Sequence, residues 1–462
     1  MVACSAALSE NPTNRIDSTY FQKGSLEADA LLRSRNHATI ADLSTSVLSF
    51  GAYALTNDVT YQDDGVPFLR CADLRGGFVS FGATLHIDDQ ANALLSKSKV
   101  DPYTVLLTMS GSVGEVAVAL PTWNYPVNSN QDIAKIRVSG IDPYYLAVFL
   151  GSRLGQAQIN RLPVGSVQQH IFLSMIERLI VPRFSPELED AVSRTAQAAY
   201  KARDDATVTM ADAEAALLDA LGLRDWSPPK PLTYTRSASA AATAGRLDAE
   251  FAAPKVQALL SRLAASGSTI GDLSYVRREK FRAKPPGSFR YIEIGDLDGF
   301  GYANGSSVDL ADAPSRATWF VRAGDVITST VRPIRRLTAI VAQDQDGEVC
   351  SSGFVVLQPK TVSAELLMTY LRLPLVAELM HLYATASMYP ALAENDLLAL
   401  PMPAINNDVD DAVRDLVRKS RQQLKESEAL LVAAKRAVEV AIEDGAASAL
   451  SLLSEQKEGT RE

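Results

Sequence analysis

The sequence predicts an α+β protein in which two duplicated α/β modules are separated by a pair of long antiparallel coiled-coil helices. Three observations lead there. Arg15-Ile16-Asp17 followed by Tyr20 recurs as Arg246-Leu247-Asp248 followed by Phe251, and Thr39-Ile40-Ala41-Asp42-Leu43-Ser44 recurs as Thr269-Ile270-Gly271-Asp272-Leu273-Ser274, both about 230 positions on. Each half mixes short β-branched runs with turn residues. Two long segments then carry apolar or small residues at alternating spacings of four and three. A repeat of this period means duplicated domains, not a solenoid of small units, and it fixes the architecture before any local motif does.

In the first module Val105-Leu106-Leu107-Thr108, Val116-Ala117-Val118-Ala119 and Ile133-Ala134-Lys135-Ile136-Arg137-Val138 read as strands, with Gly111, Gly114, Pro126 and Asn128 as punctuation. Helices are expected over 143–159 and about 174–178, the first opened by Asp142 as cap and Pro143 at the first helical position. The module closes on Leu179-Ile180-Val181-Pro182. The second repeats the plan with Val326-Ile327-Thr328-Ser329, Thr338-Ala339-Ile340-Val341 and Gly353-Phe354-Val355-Val356-Leu357, a helix over 364–383, and a closing Leu400-Pro401-Met402-Pro403. Phe68-Leu69-Arg70-Cys71-Ala72-Asp73-Leu74 answers Tyr291-Ile292-Glu293-Ile294-Gly295-Asp296-Leu297, and the loop Gly165-Ser166-Val167-Gln168 answers Ala386-Ser387-Met388-Tyr389. Pro182 and Pro403 stand 221 positions apart, an offset that holds into the helices.

The C-terminal helical seam is Val413, Val417, Ser420, Leu424, Ser427, Leu431, Ala434, Val438 and Ala441; the same offset gives Val192, Ala196, Ala199, Arg203, Ala206, Met210, Ala213, Leu217 and Ala220. Small seam residues let two helices approach closely, and Arg203 must find solvent, an acid or a partner. A helix over 186–221 spans roughly 50 Å. The alternative is that each arm packs only on its own module. Trp226-Ser227-Pro228-Pro229-Lys230-Pro231 cannot continue a helix, and the Ser/Ala run 237–244 reads as a flexible connection. The expected domains are a first module at 1–182, a central arm at 183–224, a linker at 225–244, a second module at 245–403, a C-terminal arm at 404–455 and a disordered tail at 456–462.

No run approaches the roughly 18 apolar residues of a membrane span, and no apolar segment near the N-terminus resembles a secretory signal, so a cytoplasmic protein is expected. Cys4, Cys71 and Cys350 are too few and scattered for a disulfide framework or a zinc site. A net charge of −9 argues against nonspecific coating of nucleic acid. Basic residues nevertheless cluster at Arg277, Arg278, Lys280, Arg282, Lys284 and Arg290, and again at Arg316, Arg322, Arg332, Arg335 and Arg336, which allows a local anion-binding face. A solvated basic loop is the bland reading of the same clusters.

No catalytic constellation emerges. Asp142-Pro143-Tyr144-Tyr145 lacks the second proline of the loop that grips a flipped base and reads better as a helix cap. Gly111-Ser112-Val113-Gly114 lacks both the P-loop lysine and dinucleotide spacing. His37, His86, His170 and His381 show no metal-ligand spacing. The polar loops suit base reading better, because Asn and Gln address adenine edges and Arg addresses guanine. The candidate DNA-binding residues are Ser110, Ser112, Asn128, Asn130, Gln131, Gln168, Gln169 and His170 in the first module. In the second they are Arg277, Arg278, Lys280, Arg282, Arg332, Arg335, Arg336 and Tyr389. Loop drift without function is the alternative at each position.

Gly65-Val66-Pro67-Phe68-Leu69-Arg70, Leu106-Leu107-Thr108-Met109-Ser110-Gly111-Ser112-Val113-Gly114, Gly165-Ser166-Val167-Gln168-Gln169-His170-Ile171 and Leu179-Ile180-Val181-Pro182 precede a helix ending Glu214-Ala215-Ala216-Leu217-Leu218-Asp219-Ala220-Leu221-Gly222-Leu223. In this order, repeated twice, the chain resembles the DNA-specificity (S) subunit of Type I restriction-modification enzymes. The resemblance implies two target-recognition domains, each reading half of a split site in double-stranded DNA, and a helical spacer that sets the unread gap. It implies docking of two methyltransferase subunits that methylate adenine from S-adenosylmethionine, and it allows translocating nuclease subunits. The chain itself would be non-catalytic and bind no cofactor. The second module departs more from the pattern, lacking the Gly-Ser-x-Gly turn and carrying Tyr389-Pro390. An alternative is an interaction scaffold of a defence system that has lost sequence reading. A self-sufficient methyltransferase would need a cofactor site absent from the motifs.

Overall fold

The computed structural model describes residues 20–49, 59–62, 64–82, 84–165, 169–228, 230–385 and 390–459. The N-terminal Arg15-Ile16-Asp17 string, Gln168, Tyr389 and residues 460–462 of the expected tail lie outside the described residues. The chain divides into two units. Unit 1 comprises Met1–Arg203 with Lys425–Glu462, and unit 2 comprises Asp204–Leu424. Among the described residues no helix is long and apolar enough to cross a membrane.

Unit 1 holds two four-stranded sheets. One runs Leu85–Ile87, Val66–Leu69, Val127–Ser129, Lys99–Val100, with its central pair parallel. The other is antiparallel throughout, in the order Ser44–Leu48, Ile133–Val138, Val105–Thr108, Val116–Val118. Unit 2 reproduces both. Ser306–Asp309, Ser288–Ile292, Val349–Ser351, Ala317–Phe320 again has a parallel central pair, and Ser274–Val276, Phe354–Pro359, Val326–Ser329, Thr338–Ile340 is again antiparallel. The duplication read from scattered strings is therefore a duplication of strand order and direction. Local chemistry repeats with it. Thr39 Oγ1 and N both donate to Asp42 Oδ2 at 2.6 and 2.9 Å, and Thr269 does the same to Asp272 at 2.8 and 2.9 Å. These bonds hold both aspartates below the ordinary carboxylate range.

The helix on the antiparallel sheet of unit 1, Pro143–Gly151, is apolar on nearly every side and correspondingly buried. Asp142 Oδ1 accepts from the Tyr144 and Tyr145 amides at 2.8 and 3.3 Å, so the capping reading holds. The single helix expected over 143–159 is two, because Ser152 turns extended and caps Arg153–Asn160. A Cβ at Gly155 would lie 2.1 Å from the Phe149 carbonyl oxygen, so this corner requires glycine. In unit 2 the expected helix over 364–383 breaks into Ala364–Arg372 and Pro374–Tyr383, since Pro374 has no amide to continue the first.

Two further expectations change. The Ser/Ala connection is helical over Ala238–Ala244, capped by Ser237 and ended by Gly245 at φ +64°. Alanine has the highest helix propensity, and the serine cap supplies the start. Leu400–Pro403 makes no strand. Thr269 bridges only Pro401, whereas Ile180–Pro182 pairs fully with His37–Thr39. Two prolines remove the donors a ladder needs.

Long helices cover Pro186–Ala220 and Asn407–Asp444, and Ala446–Gly459 follows a turn at Gly445. Every C-terminal seam position from Val413 to Ala441 is buried, and so is the first seam apart from the half-buried Arg203 and the exposed Ala220. In unit 1 Ser427 Oγ donates to the Ala199 carbonyl at 2.7 Å, and in unit 2 Ser420 Oγ donates to that of Ala206 at 2.7 Å. These serines sit in an apolar seam because each spends its donor on the facing backbone. Arg203 is accommodated over the Phe78 ring, 4.3 Å from its centroid, a cation–π contact that the seam pattern did not reveal.

Candidate nucleic-acid interface

In unit 1 four chain segments converge at the ends of the strands. Asn130 N donates to Leu69 O at 2.9 Å, Met109 N to Asp132 O at 2.7 Å and Ile171 N to Met109 O at 2.9 Å. Ser110 bridges His170, which pairs in turn with Val164 through amide bonds of 2.9 Å each way. The Cys71 thiol donates to Asp132 O at 3.3 Å. This scaffold brings together Ser110, Ser112, Asn130, Gln131, Gln169 and His170 of the predicted set. Ser110 is buried, Asn130, Gln131 and His170 are half-buried, and Ser112 and Gln169 are exposed.

Sequence reasoning missed Asp132 and Phe172 at the same rim. Asp132 N donates to Asn130 Oδ1 at 3.2 Å, and burial raises its carboxyl above the usual range against the pull of His170. Phe172 is 50% exposed, with its ring edge-on to His170 at 5.1 Å. A carboxylate and an exposed ring are both usable against bases, the first as an acceptor for cytosine N4, the second against a thymine methyl. Asp132 directly follows the Asn-Ser-Asn-Gln run, which was the available signal.

Asn128 is a correction. It is fully buried, with Nδ2 donating to Asn92 Oδ1 at 2.9 Å and Leu95 O at 3.3 Å. Its Oδ1 accepts from Ser98 Oγ at 2.6 Å and from Ser129 N at 2.8 Å. Strand position, not loop position, decides this: Asn128 lies within Val127–Ser129 and its amide is consumed by the core.

Unit 2 repeats the scaffold bond for bond. Thr330 N donates to Gly353 O at 2.9 Å, Leu392 N to Thr330 O at 2.9 Å, Val331 bridges Ala391, and Ala391 pairs with Thr385. All four contacts sit 221 positions beyond their counterparts. The side chains differ: Val331 replaces Ser110, Ala391 replaces His170, Pro390 replaces Gln169 and Arg332 replaces Gly111. Arg332 adopts φ +49°, its amide donates to Pro390 O at 2.8 Å, and both it and Arg335 are exposed.

The basic clusters divide. Arg277 forms a bidentate pair with Asp325, Nε at 2.6 Å and Nη2 at 3.0 Å, on a carboxylate only 1% exposed. Arg278 pairs with Glu394, and Arg336 pairs with Glu214 at 2.5 Å while donating to the Arg372 carbonyl. Arg277 and Arg336 are thus committed to the fold, correcting their assignment as base readers, and Arg278 is already neutralised. A charge count could not foresee this, because the acids lie far away in sequence. Lys280, over the Trp319 ring at 5.8 Å, and Arg282 are exposed cations.

Burial pushes the Cys71 thiol up to about 11 and the Cys350 thiol up to about 12, so neither is a thiolate at neutral pH. Among the described residues no group of His, Cys, Asp and Glu could hold a metal ion.

No family model and no curated protein matches the chain. Among solved structures, a Type-I restriction-modification system S subunit from M. genitalium is 14% identical, covering 90% of this chain and 94% of its own, with a TM-score of 0.37. The HsdS subunit from Thermoanaerobacter tengcongensis is 14% identical over 89% of this chain and 96% of its own, TM-score 0.29. A structure titled for complex assembly and conformational transition of the type I R-M system is 13% identical over 87% and 97%, TM-score 0.28. The chain is similar to these proteins at low identity and with TM-scores below 0.5, which leaves its function to be argued from its own residues.

Proposed function

We propose that the chain is a non-catalytic DNA-specificity subunit of the Type I kind, which reads a bipartite site in double-stranded DNA and directs adenine methyltransferase subunits to it. The observation that carries the reading is the contrast between identical backbone scaffolds and different rim side chains. Unit 1 offers Ser112, Asn130, Gln131, Asp132, Gln169 and His170, and unit 2 offers Arg332 and Arg335 on the corresponding frame. Two readers of different half-sites need the same frame and different polar groups, since phosphate contacts orient a protein while base contacts specify. Catalysis and S-adenosylmethionine belong, on this reading, to the partner subunits, and the helices shared by the units set the unread gap.

A second reading, an interaction scaffold without sequence preference, is favoured by the neutralisation of Arg277, Arg278 and Arg336 within the chain and by its net charge of −9. Selection of DNA from a random library by the chain complexed with its methyltransferase separates the two. The specificity reading expects a split motif, one half of which is lost on N130A/Q131A; enrichment of no motif supports the scaffold.

A further inference from the structure

The duplication exposes one position where the two units are built in opposite ways. In unit 1 the edge hairpin, the buried helix and the long helices surround a cavity of about 240 Å³ lined by Gly77, Gly114, Glu115, Gly151, Tyr200 and Lys435, among others. The corresponding position in unit 2 carries arginines. Gly151 and Arg372 are the last residues of matching nine-residue helices, and Gly114 and Arg336 each stand two residues before the returning strand. Tyr200 and Arg421 share the 221 offset and serve alike as donors to a glycine carbonyl. Tyr200 OH donates to Gly77 O at 2.7 Å, and Arg421 Nη2 donates to Gly301 O at 2.9 Å. Lys435 corresponds by the same offset to Glu214.

In unit 2 three guanidinium groups occupy this place by donating to carbonyl oxygens. Arg372 is 6% exposed and bonds Gly299 O, with Nη1 at 3.3 Å from Arg336 O. Arg421 reaches Ile340 O at 3.2 Å and lies 4.1 Å over the Tyr302 ring. Arg336 bonds Arg372 O and Glu214. Three adjacent cations are tolerated because a guanidinium is a planar fork of five donors, each usable on a carbonyl or carboxylate. Unit 1 has two glycines and a tyrosine at those positions, and it presents the carboxylate of Glu115, whose Oε2 accepts from Gly76 N at 2.9 Å. Lys435 runs along the Gly151 wall, its Cε 3.1 Å from where a Cβ would be, and so stands in for one of the three cations.

We propose that the unit 1 cavity binds a guanidinium group, seated against Glu115 and the carbonyl-lined glycine turns and supplied by a small molecule or by an arginine side chain of a partner polypeptide. The proposal is independent of the DNA reading, and its failure leaves that reading intact. Calorimetric titration of the full chain with methylguanidine and with N-acetylarginine amide tests it. Saturable binding of either probe by the wild type is expected, weakened in Glu115→Gln and lost in Gly151→Arg, which installs the unit 2 residue. Binding of both probes identifies the guanidinium group alone as sufficient; binding of N-acetylarginine amide alone identifies the polypeptide source. No saturable binding by the wild type overturns the proposal. Undiminished binding in a folded Gly151→Arg variant also overturns it, and should that variant fail to fold, equal affinity in Glu115→Gln and the wild type does so instead.

Discussion

Replacing Asn128 by alanine should unfold the first unit more easily without touching a DNA-facing group. The side chain makes four hydrogen bonds in a site with no exposure. Removing it strands the Ser98 hydroxyl, the Asn92 amide and the Leu95 carbonyl away from water. A buried unsatisfied polar group costs about 1–3 kcal/mol, and partial relaxation over several such groups leaves an expected loss of roughly 3–5 kcal/mol. With a urea dependence of about 2–3 kcal/mol per molar, the midpoint for unit 1 should fall on the order of 1–2 M. Trp123 is the only tryptophan of unit 1, since Trp226 and Trp319 belong to unit 2. Fluorescence in a Trp226→Phe/Trp319→Phe background therefore reports this unit alone. An unchanged midpoint with selective loss of one half-site would refute the burial argument and return Asn128 to the base-reading set.

Arg277→Ala should destabilise unit 2 by about 3–5 kcal/mol, because it strands the buried Asp325 carboxylate, and Trp319 fluorescence during urea unfolding measures it. Arg332→Ala/Arg335→Ala should weaken DNA binding by the assembled complex and flatten its log–log salt dependence by about 0.9 for each phosphate no longer neutralised, while unfolding midpoints do not move. Lys135 is 1% exposed, and its ammonium donates to Ser129 Oγ at 2.8 Å; burial first, then the like charge of Arg137, pushes it down to about 7. The penalty is fully present below pH 7 and is relieved as pH rises toward the ordinary lysine range, because the unfolded chain then binds the extra proton. Stability of unit 1 should climb by at most about 1.4 kcal/mol per pH unit over that window. Lys135→Met should flatten the climb and stabilise most below pH 7, as read by urea midpoints across pH.

Much of the fold was legible because the duplication supplies its own control. Thr39 and Thr269, each three residues before an aspartate, announce the same capped turn, and the seam residues announce which helix faces are buried. Helix breaks were less legible, since the extended turn at Ser152 depends on a tertiary corner that only Gly155 fits. The candidate site was legible as a set of loops but not residue by residue. Asn128 and Asn130 are equally polar in sequence, yet strand pairing turns one into the core and leaves the other at the rim. Arg277 and Arg335 are likewise indistinguishable until Asp325 is brought to the first from the far side of its sheet.

The central claim is that this chain supplies sequence specificity to a methyltransferase, and long-read methylome mapping tests it most directly. A methylation-free host would express the methyltransferase encoded beside this chain, with and without the chain. The account predicts a split adenine-methylated motif only when the chain is present, with one half-site altered by changes at Asn130, Gln131 and Gln169 and the other by changes at Arg332 and Arg335. A stable complex that yields no motif, or the same motif without this chain, would contradict it.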